Sequence, residues 1–147
     1  MTPVRILLVE DEARGEPVTR RAIERDLIPD TVLVAHDGPQ ALDYLFGQGR
    51  YQGRDTAEQP RVVLLDVNGP GPGGLDVLKA IRADPRTSLL PVVILTTGQT
   101  EADLLGGYQH GANSYVIKPA DGDELAEVVG RLARYWLEVN QHPPAGC

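Results

Sequence analysis

Five short aliphatic runs recur along this chain, at Val4–Val9, Thr31–His36, Val62–Leu65, Pro91–Leu95 and Ser114–Lys118. They are rich in leucine and β-branched residues and too short for ordinary helices. Successive positions rather than alternate ones are apolar, so both faces of each strand are expected to be buried. Amphipathic segments separate them. Helices are expected over Pro17–Leu27, with Pro17 in the first turn, over Asp37–Gly47, Leu75–Ala83 and Glu101–His110, and over Asp121–Val139. The last carries Leu125, Val128, Val129, Leu132 and Trp136 on one stripe. Gly106 and Gly107 lower the helix propensity of the segment they interrupt. Residues 48–60 are polar and irregular, the longest expected loop. Buried strands alternating with helices predict an α/β fold, a doubly wound five-stranded parallel sheet in a three-layer α/β/α sandwich.

The 147 residues suit one domain, expected over 1–139 with a tail at 140–147. No stretch approaches the roughly 18–20 apolar residues of a membrane span, and no membrane role is expected. The net charge is −7, and no basic cluster exceeds the pair Arg20–Arg21. Nucleic acid is therefore not expected as a partner, because phosphate backbones demand a basic footprint. Cys147 has no cysteine to pair with, which fits a reducing, cytoplasmic setting.

In open parallel sheets, ligands sit beyond the carboxyl ends of the strands, where the strand order reverses. Read at those ends, the five runs present Glu10–Asp11, His36–Asp37, Asp66, Thr96–Thr97 and Lys118. With the strand order 2-1-3-4-5, the first and third strands are neighbours, and Glu10, Asp11 and Asp66 share one small pocket. Three crowded carboxylates repel strongly in a partly buried site. A hard divalent cation with oxygen ligands, Mg²⁺, resolves the conflict, and Lys118 supplies a second, movable positive charge. Asp11 or Asp37 taken alone reads as a helix N-cap. The whole set, with a hydroxyl after the fourth strand and Lys-Pro after the fifth, goes beyond capping.

From "ILLVEDE" through "LLDVNGPGPGG" and "PVVILTTG" to "SYVIKP", the chain resembles the response-regulator receiver domains of two-component signalling. The resemblance implies a flavodoxin-like receiver fold with Asp66 as phospho-acceptor. It implies Glu10, Asp11 and Asp66 as Mg²⁺ ligands, joined by the backbone carbonyl of Asn68. Thr96 and Tyr115 match the switch residues, and Lys118 the lysine that contacts the phosphoryl group. It also implies a cis Lys118–Pro119 bond, and a phospho-acceptor without turnover on an external substrate. Departures lie in "NGPGPGG", where Gly69 replaces a bulky apolar residue and Gly73 an aspartate.

The insertion at 47–61 and the closing "RYWLEVNQHPP" resemble the stand-alone regulators paired with bacterial and cyanobacterial phytochromes. The partner implied is a histidine kinase, such as a bacteriophytochrome. A homodimer is expected through Tyr135, Trp136 and Leu137, although Trp136 fits a core position equally well. Two other readings are a degenerate receiver that only binds partners and an aspartate-nucleophile phosphatase. The latter needs an acid two residues after its nucleophile, where this chain has Asn68.

Overall fold

A computed structural model describes residues 4–10, 21, 31–67, 73–97 and 101–144. The expected helix Pro17–Leu27, apart from Arg21, lies outside the described residues, as do Asp11 and residues 68–72. Five strands form: β1 Ile6–Glu10, β2 Val32–Ala35, β3 Val62–Val67, β4 Val92–Thr96 and β5 Ser114–Ile117. All pair in parallel, in the order β2-β1-β3-β4-β5. The described α-helices are α1 Gly38–Phe46, α2 Gly73–Ala83, α3 Glu101–Gln109 and α4 Gly122–Arg134, the last running into a π-helical turn at Tyr135–Val139. No helix among the described residues is long and apolar enough to cross a membrane.

Strand alternation sorts the side chains into two cores. Leu7, Val9, Val63, Leu65, Val92 and Ile94 point to one side, where Ala41, Tyr44 and Leu45 of α1 and Val77, Leu78 and Ile81 of α2 cover them. Ile6, Leu8, Val62, Leu64, Val93 and Leu95 point to the other, under Leu125, Ala126, Val129 and Ala133 of α4. Each fully buried aliphatic side chain contributes about 1.5–3 kcal/mol relative to exposure, so the central strands have no polar face to spare. The layered parallel sheet follows from that.

Local chemistry sets the helix ends. Asp37 accepts a hydrogen bond from Gln40 N at 2.8 Å and is the N-cap of α1. Asp121 caps α4 through Asp123 N and Glu124 N. The insertion is more ordered than its composition suggests. It makes a short 3₁₀ turn at Gly49–Tyr51 and folds back on the end of α1. Arg54 donates Nη1 to Tyr44 O at 2.9 Å and lies 3.9 Å over the Tyr44 ring. A cation at a helix carboxyl end is favoured by the exposed carbonyls there. Gln59 Nε2 donates to Leu45 O at 2.8 Å. At the end of the last helix, Trp136 and Leu137 pack partly on the second core, whereas Tyr135 is 48% and Val139 64% exposed.

Candidate functional site

The register of the central strands assembles the site. Glu10 stands directly beside Asp66 across the β1–β3 pair. Leu95 flanks Asp66 on the other side, and Thr96 lies next to Val67. Both acids end aliphatic rows on the α4 side of the sheet, Glu10 after Ile6 and Leu8, Asp66 after Val62 and Leu64. Both are nearly sealed, at 5% and 7% exposure. A buried charge stripped of water costs several kcal/mol unless it is paired.

Lys118 meets that cost for Asp66. It follows β5 directly, and its backbone N–H donates to Thr96 O at 2.7 Å. Its ammonium Nζ lies 2.5 Å from Asp66 Oδ1. No peptide bond among the described residues is cis, so Lys118–Pro119 is trans, contrary to the expectation from resemblance. The trans form is ordinarily favoured by about 0.5–1 kcal/mol before proline. Lys118 reaches Asp66 from the trans backbone, so nothing at the site calls for the other isomer.

Thr96 is 4% exposed and ends the opposite row, after Val92 and Ile94. Tyr115 is the register neighbour of Ile94. Its ring packs on the first core and against α3, where an added Cβ on Gly107 would lie 2.9 Å from Tyr115 Cδ2. Burial, and then the negative charge of Asp103, push the Tyr115 phenol above the ordinary tyrosine range. The carboxyl edge thus brings together Glu10, Asp66, Thr96 and Lys118, with Tyr115 three residues before Lys118 on β5. Asp37 is drawn away into its capping role. Asp11 and Asn68 lie outside the described residues.

Adjacent buried carboxylates of Glu10 and Asp66 supply hard oxygen donors of the kind Mg²⁺ takes. Among the described residues no group of three or more acidic, histidine or cysteine side chains surrounds a metal-sized space. The contact between Gly107 and Tyr115 was not anticipated from sequence, where the glycine pair registers only as poor helix propensity. No sequence signal pairs this glycine with an aromatic side chain on the next strand.

Residues 6–130 match the family described as the response regulator receiver domain. The chain is 38% identical to the probable methanogenesis regulatory protein FilR2 of Methanothrix harundinacea, over 96% of this chain and 88% of that protein. It is 32% identical to the response regulator Rcp1 of Synechocystis sp., over 97% of this chain and 95% of that one. The solved Mn²⁺-bound form of Rcp1 superposes with a TM-score of 0.78 at 31% identity, covering 96% of this chain and 99% of that one. The phosphorylated cyanobacterial phytochrome response regulator RcpA superposes with a TM-score of 0.81 at 31% identity, covering 97% and 99%. Sheet order, site register and these matches agree: the chain belongs to the response regulator receiver domain family.

Proposed function

We propose that this chain is a stand-alone response regulator that takes a phosphoryl group onto Asp66 from a histidine kinase of the phytochrome class. The observation that carries the reading is a sealed carboxylate at the carboxyl edge, beside Glu10 in register and 2.5 Å from Lys118. An Asp66 carboxylate oxygen attacks phosphorus, a P–O bond to the acyl phosphate forms, and the bond to the donor breaks, its electron pair leaving with the donor. Lys118 is placed to move its ammonium from the carboxylate to the incoming phosphoryl oxygens. Glu10, Asp11, Asp66 and the Asn68 carbonyl would hold Mg²⁺, which supplies neutralisation of phosphoryl charge. The product carries about one more negative charge than aspartate and several strong acceptor oxygens. Thr96 answers that change by donating its hydroxyl, and Tyr115 follows into the space it leaves.

The kinase class is suggested by RcpA, a phytochrome response regulator by name. Output through a homodimer, with Tyr135, Trp136 and Leu137 contributing, is favoured by the apolar surface that Tyr135 and Val139 leave outside the fold. The whole set of Glu10, Asp66, Thr96 and Lys118 speaks against a purely degenerate receiver. Incubation with acetyl phosphate and Mg²⁺ should add the mass of one phosphoryl group to the wild-type protein and none to Asp66→Asn. An equal gain in both would remove Asp66 from the role, and no gain in either would leave a binding module. Light scattering at micromolar concentration should give about twice the 15.9 kDa chain mass.

A further inference from the structure

Gly107 has no room for a side chain. A Cβ there would stand 2.9 Å from Tyr115 Cδ2, 3.2 Å from Tyr115 Cε2 and 3.0 Å from Ile94 Cδ1. Gly106, its neighbour in the same helix, faces open space, with nothing within 4 Å of an added Cβ. Both positions weaken α3, since only proline is a poorer helix former than glycine. Only Gly107 has a steric reason. Its missing Cβ lets the Tyr115 ring lie directly against the helix backbone. Tyr108, next along α3, is 48% exposed, and its ring centre is 6.5 Å from that of Tyr115.

We infer that Gly107 is a positioning residue for the switch: a notch in α3 that seats the Tyr115 ring, so that ring and helix shift together when Asp66 is phosphorylated. The inference rests on the proposed role of Tyr115 as a switch residue. A ring separated from a helix by flexible side chains can move and leave the helix where it was. A ring in contact with helix backbone cannot, because packed interiors yield little. The outer part of α3 carries Leu104, Leu105 and Tyr108, all more than 40% exposed. A displacement of Tyr115 therefore reaches a surface that another protein can read.

The glycine pair supplies its own control. In the full chain labelled with fluorotyrosine, the Tyr115 fluorine resonance, assigned by Tyr115→Phe, reports the ring position. Gly106→Ala should raise the folding equilibrium constant about four- to fivefold, the helix-propensity gain of alanine over glycine, and leave that resonance in place. Gly107→Ala should forfeit the gain, move the resonance, and shrink the further shift that acetyl phosphate produces in wild type. Placed in a Tyr115→Ala background, where Ile94 Cδ1 alone remains of the three nearest atoms, Gly107→Ala should recover most of the gain seen for Gly106→Ala. That recovery is read directly against Tyr115→Ala alone, even if the single Gly107 variant does not fold. Gly107→Ala stabilising as much as Gly106→Ala with an unmoved resonance would overturn the seat. An absent recovery in the Tyr115→Ala background would overturn it too. A wild type that takes up no phosphoryl group would refute the acceptor reading separately. In that case a resonance moved by Gly107→Ala still upholds the notch and removes only its link to phosphorylation.

Discussion

The two edges of the sheet handle charge in opposite ways. At the amino edge, Arg82 and Arg61 donate to neutral oxygens, and the charge pair Asp84–Arg86 stands open to solvent. Arg82 of α2 gives Nε to Gly111 O at 2.8 Å, Nη1 to Leu90 O at 2.7 Å and Ser88 O at 3.1 Å, and Nη2 to Asn113 Oδ1 at 2.7 Å. Asn113 Oδ1 also accepts from Val92 N, tying the start of β4 to the loop before β5. Gly111 takes a φ of 105° there, and an added Cβ would meet Arg82 Cγ at 2.8 Å. Arg61 Nη1 donates to Leu137 O across the end of the last helix. At the carboxyl edge, Lys118 faces Asp66, charge against charge. A guanidinium is a planar fork whose donors are committed together, whereas an ammonium on a flexible stem pivots between partners. The arginine edge anchors the fold, and the lysine edge suits the exchange of anionic partners that the proposed phosphoryl transfer requires.

Arg82→Ala should strike hardest. It strips donors from several carbonyls at once, and at about 1.5–3 kcal/mol for a charged hydrogen bond the folded state should lose about 2–4 kcal/mol. Urea denaturation should show a lower midpoint at unchanged slope. The surviving folded protein should still accept a phosphoryl group at its usual rate. Lost phosphorylation in fully folded Arg82→Ala would break the division between the two edges.

Mg²⁺ should act on the carboxyl edge alone. By mass action it should stabilise the fold by about 1.4 kcal/mol at ten times its dissociation constant, seen as a higher thermal midpoint. Asp11→Ala should abolish that rise, and Arg82→Lys should keep it. Equal rises in all three proteins would place the cation elsewhere.

The smallest effect belongs to Asp84, in the loop after α2. Side-chain and backbone hydrogen bonds from Arg86 hold its carboxyl down at about 2. A folded value below the unfolded one gives stability that is present above the ordinary carboxylate range and lost as pH falls through about 2. The pair is open to solvent and screened by salt. Asp84→Asn should therefore flatten the acid limb of the stability curve slightly, and one molar salt should hide the difference. An effect as large as that of Arg82→Ala would contradict the ranking.

The strand order and the convergence of Glu10, Asp66, Thr96 and Lys118 were legible because both depend on short-range pattern. Aliphatic runs mark the strands, and each run's last residue marks the edge. The amino edge was not legible in this way. Arg82 works through Gly111 and Asn113, 29 and 31 residues away, and Arg54 through the ring and carbonyl of Tyr44. No periodicity in the chain announces such bonds. The insertion is the loop its composition implies, but the bonds that tie it to the end of α1 did not show in the sequence. The notch at Gly107 stayed hidden for the same reason, since its partner is a side chain on the following strand. The expected cis bond failed differently, by transferring a backbone detail that the reach of Lys118 does not require.

The pairing of Asp66 with a lysine 52 residues downstream also has a consequence for a chain made from its amino end. Glu10 and Asp66 emerge first, and the β1–β3 ladder that aligns them can form before any of β5 exists. Glu10 and Asp66 side by side without that ammonium would repel each other, so closure of the central strands is expected to be less favourable before β5 is added. Arrival of Lys118 removes that opposition. The last strand thus supplies the charge that the central strands lack, and the candidate pocket is complete only when β5 has joined the sheet.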